Sequence, residues 1–265
     1  MTAPGPYTVK ILWISDIHMA EGQTVFGTDP SRNLARAVEM IRRDHGDAVA
    51  CVVSGDMAEN GLPENYRLLA EGLSGLPMPV LPMVGNHDDR EALRAAFALP
   101  DGAMDGFVQY RVDRDELSLI ALDTIIPGEA GGELCPARRQ WLADELSTTP
   151  DVPVLVFMHH PPMQLGLPMQ DMDCCAGGEE VLDLLAEAGN VAHLFCGHVH
   201  RPVSGVVRGM PFATLRSLTV QAPAPWPAWA WDNFTPVEEN PAIGVVLVRG
   251  RDVILQPIDV PREAA

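Results

Sequence analysis

The chain has 265 residues, of which 47% are apolar, and its 18 Lys and Arg stand against 36 Asp and Glu, a formal charge of −18. This length and apolar content are typical of a folded protein with one large core or two modest ones. The acidity opposes binding to DNA, RNA or anionic lipid, because each phosphate neutralised needs a cation. We therefore expect neither nucleic acid nor a membrane as a partner.

The sequence shows no pattern of membrane insertion or export. No apolar run approaches the roughly 20 residues that cross a bilayer, and residues 1–10 lack a signal-peptide pattern. The five cysteines are odd in number, and Cys51 and Cys196 lie in apolar runs, which favours reduced thiols. The adjacent Cys174 and Cys175 lack the spacing of a thiolate metal site, although a metal or redox role stays open for them. We expect a cytoplasmic protein.

Apolar runs alternate with amphipathic stretches over the first 200 residues, which predicts an α/β fold. The predicted strands are Val9–Ser15, Ala50–Ser54, Val80–Val84, Leu117–Leu122, Val152–Met158 and Val191–Cys196. The predicted helices are Ser31–Asp44, with Ser31 as N-cap, Pro63–Leu73, with Pro63 in the first turn, Arg90–Leu99, Pro136–Leu146 and Glu179–Ala188.

Beyond Arg201 the pattern changes to strands without long helices. Two hairpins are predicted, Val203–Val207 with Phe212–Leu215 and Ile243–Val248 with Val253–Ile258. Residues 219–241 between them are too rich in proline for a helix or a central strand, and we expect a loop or cap there. With no repeat, low-complexity linker or clear break, residues 1–265 are expected to form a single domain.

Metal-ligand side chains follow five of the predicted strands, in the segments ILWISDIH, CVVSGD, LPMVGNHDDR, VLVFMHHPP and LFCGHVH. Each segment alone would ordinarily be a turn or a strand end, but six of the eight histidines fall in these five places. Since the carboxyl ends of strands share a crevice in an open α/β sheet, we expect these side chains to meet. They are Asp16, His18, Asp56, Asn86, His87, His159, His160, His198 and His200. Gly55, Gly85 and Gly197 are expected to let the backbone turn sharply before them.

The ligand types indicate the metals. Imidazole, carboxylate and amide oxygen without thiolate suit Mn, Fe, Zn or Co. Seven or so ligands are too many for one ion and enough for two that share a carboxylate. Two such ions would lower the pKa of a bridging water from 15.7 toward 7, which provides hydroxide at neutral pH.

The ordered motifs DIH, GDMAENG, GNHD, MHHPP and GHVH resemble those of the calcineurin-like metallophosphoesterases. The resemblance implies a four-layer α-β-β-α sandwich with two central sheets, the C-terminal strands belonging to the second. It also implies two divalent or mixed-valence transition-metal ions. Asp16, His18 and His200 would bind the first ion, Asn86, His159 and His198 the second, and Asp56 would bridge them. His160 would lie behind the ligands, unless the assignment is shifted by one residue and His160 is the ligand.

Within that family the chain is similar to the class III cyclic nucleotide and glycerophosphodiester phosphodiesterases. The supporting segments are HHPP, GQTVFGTDPSRNLARAVEMI and GGELCPARRQWLADEL. The resemblance implies hydrolysis of small phosphodiesters by metal-activated hydroxide, and a homo-oligomer, a dimer or larger. A phosphomonoesterase or pyrophosphate hydrolase is the alternative, and a non-catalytic scaffold a third. Asn60 stands where protein phosphatases have Arg, which counts against a phosphoprotein substrate.

Three further expectations concern residues beside the ligands. His87 follows a ligand and is the expected catalytic proton donor or phosphoryl hydrogen-bond donor. Asp88 would either hold the His87 imidazole or cap the next helix. Trp226, Trp229 and Trp231 could line a substrate pocket, but packing or a subunit contact is the interpretation that we favour from sequence.

Overall fold

The computed structural model describes residues 7, 9–114, 116–149 and 151–261. The strands are β1 Val9–Ile14, β2 Ala50–Val53, β3 Val80–Pro82, β4 Tyr110–Arg114, β5 Leu117–Leu122, β6 Gly132–Glu133, β7 Val154–Met158, β8 Cys175–Ala176, β9 Val191–Cys196, β10 Ser204–Val207, β11 Met210–Thr214, β12 Ala242–Arg249 and β13 Asp252–Asp259. The helices are α1 Pro30–Asp44, α2 Pro63–Leu73, α3 Arg90–Ala96, α4 Pro136–Thr148 and α5 Gly178–Ala188. Within the described ranges, no helix has the length and apolarity needed to cross a bilayer.

Two mixed sheets carry the fold. The first has the strand order β13-β12-β1-β2-β3, with β1, β2 and β3 parallel and β12 antiparallel to β1. The second has the order β10-β11-β9-β7-β5-β4, in which β5, β7, β9 and β11 run parallel between antiparallel edge strands. The predicted α/β class with two central sheets is therefore confirmed.

The alternation of side chains along the second sheet explains the layering. Leu119 and Phe157 point into a core shared with the first sheet, α1 and α2, whereas Ile120 and Val156 point into a core shared with α4 and α5. Trp13 of β1 joins the two sheets, because its ring meets Phe157 edge-on with centroids 6.1 Å apart. The order of layers is consequently helices, sheet, sheet, helices.

Several predicted boundaries need correction. The N-cap of α1 is Asp29, whose carboxylate accepts the backbone N–H groups of Ser31 and Arg32, so the Ser31 cap was wrong. Helix α3 ends at Ala96 rather than Leu99. The strand β4 was not predicted at all. Pro63 does begin α2, as expected.

The C-terminal strands were assigned to the wrong sheet in part. The hairpin of β10 and β11 joins the second sheet, as the resemblance implied, but β12 and β13 join the first. β12 lies directly against β1, with Trp13 opposite Gly244. β12 and β13 therefore form one edge of the first sheet, whose strands β1, β2 and β3 precede four of the seven proposed ligands.

Candidate metal centre

The predicted ligand side chains converge where the two sheets meet. Strands β1, β2 and β3 of the first sheet and β7 and β9 of the second each end within one of the five segments, shortly before its ligand side chains. The Asp56 carboxylate lies at the centre, 3.6 Å from His18 Nε2 and 3.3 Å from His159 Nε2. The side chains of both residues are almost completely buried, and a carboxylate in that position can serve two neighbouring cations.

One group of donors surrounds the end of β1. The donor atoms of Asp16, His18, Asp56 and His200 all lie within 4.8 Å of one another. Asp16 Oδ1 is 3.3 Å from His200 Nε2, and the Nε2 atoms of His18 and His200 are 3.0 Å apart. Such a set of carboxylate and imidazole donors suits a transition-metal ion.

The other group lies across Asp56, at the ends of β3, β7 and β9. Asn86 Oδ1 is 3.2 Å from His159 Nε2 and 3.0 Å from His198 Nδ1. The backbone N–H of His198 donates to Asp16 Oδ1 at 3.1 Å, which links this group to the first. The structure therefore brings all seven predicted ligands together.

Hydrogen bonds at the far ring nitrogens orient two of the imidazoles. His18 Nδ1 lies 2.7 Å from the Glu59 carboxylate, and His159 Nδ1 lies 2.9 Å from the Ser54 carbonyl. Because a carboxylate and a carbonyl only accept, each Nδ1 donates a hydrogen bond to its partner, which leaves Nε2 as the ring nitrogen that faces the cluster. This is the arrangement that a metal ligand requires, so the site fits a pair of metal ions.

Glu59 was missed by the sequence reasoning. It lies in the loop after β2, within GDMAENG, three residues beyond Asp56. The carboxylate of Glu59 contacts His18, and its backbone carbonyl accepts a hydrogen bond from His87 Nδ1 at 2.7 Å. A lone Glu in a loop carries no pattern, and its position in that motif was the only available signal.

His160 is buried beside the cluster, and both of its ring nitrogens have protein partners. Nδ1 lies 2.7 Å from Thr124 Oγ1 and Nε2 lies 3.1 Å from the Ala130 carbonyl. Since the carbonyl only accepts, Nε2 donates to it, and Nδ1 accepts from the Thr124 hydroxyl. His160 therefore has no lone pair to offer an ion, although its ring stands close to His159 and His198.

His87 and Asp88 lie in different surroundings. The side chain of His87 is 38% exposed and lines the cavity above the cluster. Asp88 is buried, and its carboxylate accepts from the backbone N–H groups of Met57, Ala58 and Gly85 and from the Tyr66 hydroxyl. Neither role expected for Asp88 is seen, because His87 is held by Glu59 and the N-cap of α3 is Asp89. Asp88 instead ties the loop after β2 to the turn after β3.

The backbone at the ligands is unusual. Five of the seven have a positive φ, which is uncommon for residues other than glycine and is concentrated at functional sites: Asp16, His18, Asp56, His198 and His200. Gly55 shares this conformation, as predicted, with φ +95°. Gly85 and Gly197 do not, and close packing explains them: a Cβ at Gly85 would lie 2.6 Å from His159 Cε1, and one at Gly197 would lie 2.6 Å from Ser15 Oγ.

Charges of opposite sign in the cluster shift its pKa values. Burial alone would raise the pKa of Asp16, but His200 outweighs it and lowers this pKa to about 2. In the same way His159 outweighs burial and holds the pKa of Asp56 well below its ordinary value. Burial would lower the pKa of His159, but Asp56 raises it to about 9. The carboxylates are thus anionic and attract cations.

A cavity of about 400 Å³ opens over the cluster. Its polar side includes His18, His87, His198 and His200, and its apolar side includes Phe26, Val220, Trp231 and Phe234. Of the three tryptophans considered from sequence, Trp231 lines this cavity, whereas Trp226 is 71% exposed elsewhere on the loop. The favoured interpretation, packing or a subunit contact, therefore does not describe Trp231 fully.

Comparison with known proteins places the chain in a family. The family profile described as calcineurin-like phosphoesterase matches residues 9–202. A probable cyclic nucleotide phosphodiesterase of Rhodopseudomonas palustris is 37% identical over 80% of this chain and 79% of its own length. A glycerophosphodiester phosphodiesterase, GpdQ, of Enterobacter lignolyticus is 34% identical over 79% and 77%. The crystal structure of a dimetal phosphatase from Danio rerio, 17% identical, superposes with a TM-score of 0.67 over 96% of this chain and 100% of that one. The chain belongs to the calcineurin-like phosphoesterase family.

Proposed function

We propose that this protein is a dinuclear-metal phosphodiesterase that hydrolyses small phosphodiesters of the cyclic nucleotide or glycerophosphodiester type. The observation that carries the proposal is the convergence of carboxylate, imidazole and amide donors in two groups around Asp56. Two relatives that match most of the chain are named for these two kinds of substrate. The geometry and the family thus support the same chemistry.

The proposal gives each ion its own set of donors. In this proposal Asp16, His18 and His200 hold one ion, Asn86, His159 and His198 hold the other, and Asp56 is shared. Bound there, two Mn, Fe, Zn or Co ions would supply positive charge for the phosphoryl oxygens and activate water as the nucleophile. The orientation of His18 by Glu59 and of His159 by Ser54 supports this assignment, as does the engagement of both His160 nitrogens.

His87 is the proposed catalytic residue. Its Nδ1 donates to the Glu59 carbonyl, which leaves Nε2 as the ring nitrogen without a protein partner among the described residues. Burial lowers the pKa of His87, but Asp56 and the bond to Glu59 raise it more, so that the net pKa lies above its ordinary value. A protonated Nε2 can donate its hydrogen to the leaving oxygen when the P–O bond breaks.

The charge of the cavity favours a diester over a monoester. No Lys or Arg is among the described residues that line the cavity, whereas Glu59 and Asp173 are. A diester carries one negative charge and a monoester carries up to two; the proposed metal ions would attract both, but the second charge of the monoester finds no side-chain cation beside it and meets the carboxylates of Glu59 and Asp173. Asn60 stands where protein phosphatases have an Arg, and the absence of that cation also favours a diester over a monoester.

Three broader properties complete the proposal. We propose that residues 1–265 act as one catalytic domain, in which residues 219–241 form part of the cavity rim. The odd number of cysteines supports the cytoplasm as its compartment. Association into a dimer or a larger homo-oligomer is proposed from the resemblance alone.

A paired assay tests the proposed function. Purified protein would be stripped with a chelator, reloaded with Mn²⁺, and assayed on bis(p-nitrophenyl) phosphate and p-nitrophenyl phosphate under one set of conditions. We expect activity only after reloading, and kcat/KM at least about tenfold higher for the diester, since one extra unpaired charge costs on the order of 1 kcal/mol or more. A higher kcat/KM for the monoester would show that the alternative, a phosphomonoesterase, is correct.

A further inference from the structure

One side of the cavity over the metal centre is aromatic. It is formed by Phe26, Trp231 and Phe234, which we call the aromatic wall. The ring of Phe234 lies between the other two, with centroid distances of 5.3 Å to Phe26 and 5.6 Å to Trp231. Trp229 does not line the cavity but supports the wall, 5.1 Å from Trp231 and 5.3 Å from Phe234.

Packing of the core does not account for the aromatic wall. Phe26 is 65% exposed and Trp231 is 52% exposed, so both leave much of their apolar surface in water. A contiguous exposed apolar surface at the mouth of a cavity is typical of a ligand-binding site. The exposed faces of Phe26 and Trp231 are therefore available to a ligand in the cavity.

The backbone at Phe26 gives a second, independent indication. Val25 and Thr28 close a two-residue turn through hydrogen bonds of 2.8 and 2.9 Å, and both central residues have positive φ, +46° at Phe26 and +80° at Gly27. Such turns favour Asn-Gly or Gly-Gly, and a bulky aromatic residue there is strained. Neither turn formation nor burial explains Phe26. A strained residue that presents its side chain at a site is a frequent feature of ligand clamps.

The chemistry of the wall limits what it can bind. Aromatic side chains stack on flat rings, and this stacking tolerates any base because every base has a π-face. The chain offers three aromatic rings in the lining of a cavity that the metal donors also line. A phosphodiester bound at the donors could thus place a flat substituent against the wall, whereas a glycerol arm has no ring to stack.

We propose, building on the proposed function, that the aromatic wall determines substrate specificity: it stacks on the planar ring of one ester arm and makes the enzyme prefer nucleoside cyclic monophosphates to glycerol diesters. Trp231 is the principal residue, since it has the largest ring surface in the wall. Phe26 and Phe234 hold its position and extend the surface.

The experiment separates recognition of the ring from catalysis. Binding of 5′-AMP and of glycerol 3-phosphate to Mn²⁺-loaded protein is measured by calorimetry, because these monoesters are products of the proposed reaction, and the same samples are checked for release of inorganic phosphate. In parallel, kcat/KM is measured for 3′,5′-cyclic AMP and for glycerophosphoglycerol. The glycerol compounds carry neither an aromatic ring nor a cation, so the comparison is free of cation–π attraction.

The expected result is specific to the ring. Trp231→Ala should weaken 5′-AMP binding and lower kcat/KM for cyclic AMP by about tenfold, and should leave both glycerol compounds within about twofold. Trp231→Phe should retain most of the preference. Trp226→Ala is the matched control, a tryptophan of the same loop that is exposed and does not line the cavity, and it should leave all four values unchanged.

Two outcomes would overturn the proposal: equal affinity of the wild type for both monoesters, or equal losses on ring and glycerol ligands in Trp231→Ala. Failure of the proposed function is seen separately. A higher kcat/KM for release of inorganic phosphate from the monoesters than for cleavage of the diesters would refute the phosphodiesterase, and the ring preference would then be judged from the KM values of the two monoesters.

Discussion

The histidines of the site perform different tasks because their hydrogen bonds differ. His18 and His159 direct Nε2 into the cluster, since Glu59 and Ser54 occupy their other nitrogens. Both ring nitrogens of His160 have protein partners, and His87, which lines the cavity, is held through Nδ1. In the proposed mechanism the same side chain would thus serve as metal ligand, as support and as proton donor, and the partners of each ring would determine which.

The first prediction concerns His87. His87→Ala should keep the fold and both metals but lose about 10²–10⁴ in turnover, because a proton donor to the leaving oxygen is removed. If proton donation dominates, a diester with an alkyl leaving group should suffer a larger loss than one with nitrophenolate, which departs without a proton. Equal losses would indicate that His87 binds the phosphoryl group, and unchanged turnover on both substrates would make it a structural residue.

Glu59 provides the second prediction. It contacts His18 and does not contact the ligands of the other group, so its removal should act on one ion. Glu59→Ala should weaken binding of one metal equivalent about 10- to 100-fold, as loss of a ligand's hydrogen-bond partner usually does. A competition titration with a chelator measures this, and Glu59→Asp should restore part of the affinity. Identical titration curves for wild type and Glu59→Ala would remove Glu59 from this role.

At the scale of whole elements, strand β9 shows how register decides the environment of a side chain. A register irregularity against β7 pairs Val154 with Val191 but Leu155 with His193. His193 therefore shares a face with Phe195, and their rings stack with centroids 4.2 Å apart.

A pH dependence follows from that position. Burial lowers the pKa of His193 to about 4. Between about pH 4 and 6.5 the unfolded chain then binds more protons at this histidine than the folded chain does. The contribution of neutral His193 to the free energy of unfolding is therefore fully present above pH 6.5 and is lost as the pH falls toward 4. His193→Phe, which keeps an aromatic ring, should remove this loss of stability. The loss is at most about 3 kcal/mol, because one unit of pKa difference corresponds to about 1.36 kcal/mol. Urea unfolding of chelator-treated protein at pH 7.5 and 4.5 measures it. Equal losses in wild type and variant would contradict the assignment.

Some of these elements could be predicted from the sequence and others could not. All seven proposed ligands could be proposed from the sequence because each follows an apolar strand by at most four residues, and because the resemblance selects them among the nine candidate side chains. This local pattern is visible without knowledge of the fold. Strand β4 was missed because charged residues such as Arg111 and Asp113 interrupt it, although Tyr110 and Val112 alternate with them towards the core. The placement of β12 against β1 was not predictable locally, since it pairs residues more than 200 positions apart.

The residues that were missed or misjudged share one cause. Glu59, Phe26 and Trp231 lie in loops, where no periodicity marks the direction of a side chain. Their roles depend on which other loops come near, and that is decided by the meeting of two sheets. Asp88 illustrates the same limit: its sequence position suggested a partner in His87 or a helix cap, but its actual partners are backbone groups of two different loops.

For the molecule as a whole, the two-sheet architecture is what creates the centre. The first sheet contributes Asp16, His18, Asp56 and Asn86, and the second contributes His159, His198 and His200. Neither sheet alone holds a complete set for either proposed ion, so the packing of the sheets and the binding of metal should stabilise each other. An acidic chain also gains from two bound cations, because they offset part of the charge of −18.

The most direct measurement is a titration of metal-free protein with Mn²⁺ in which bound metal and the rate of bis(p-nitrophenyl) phosphate hydrolysis are followed together. The proposed shared Asp56 predicts two equivalents per chain at saturation, with activity reaching its plateau only as the second binds, and an Asp56→Ala variant that loses both ions, or one ion and nearly all activity. Saturation of the wild type at one equivalent with full activity, or an Asp56→Ala variant with normal metal content and rate, would contradict the dinuclear centre.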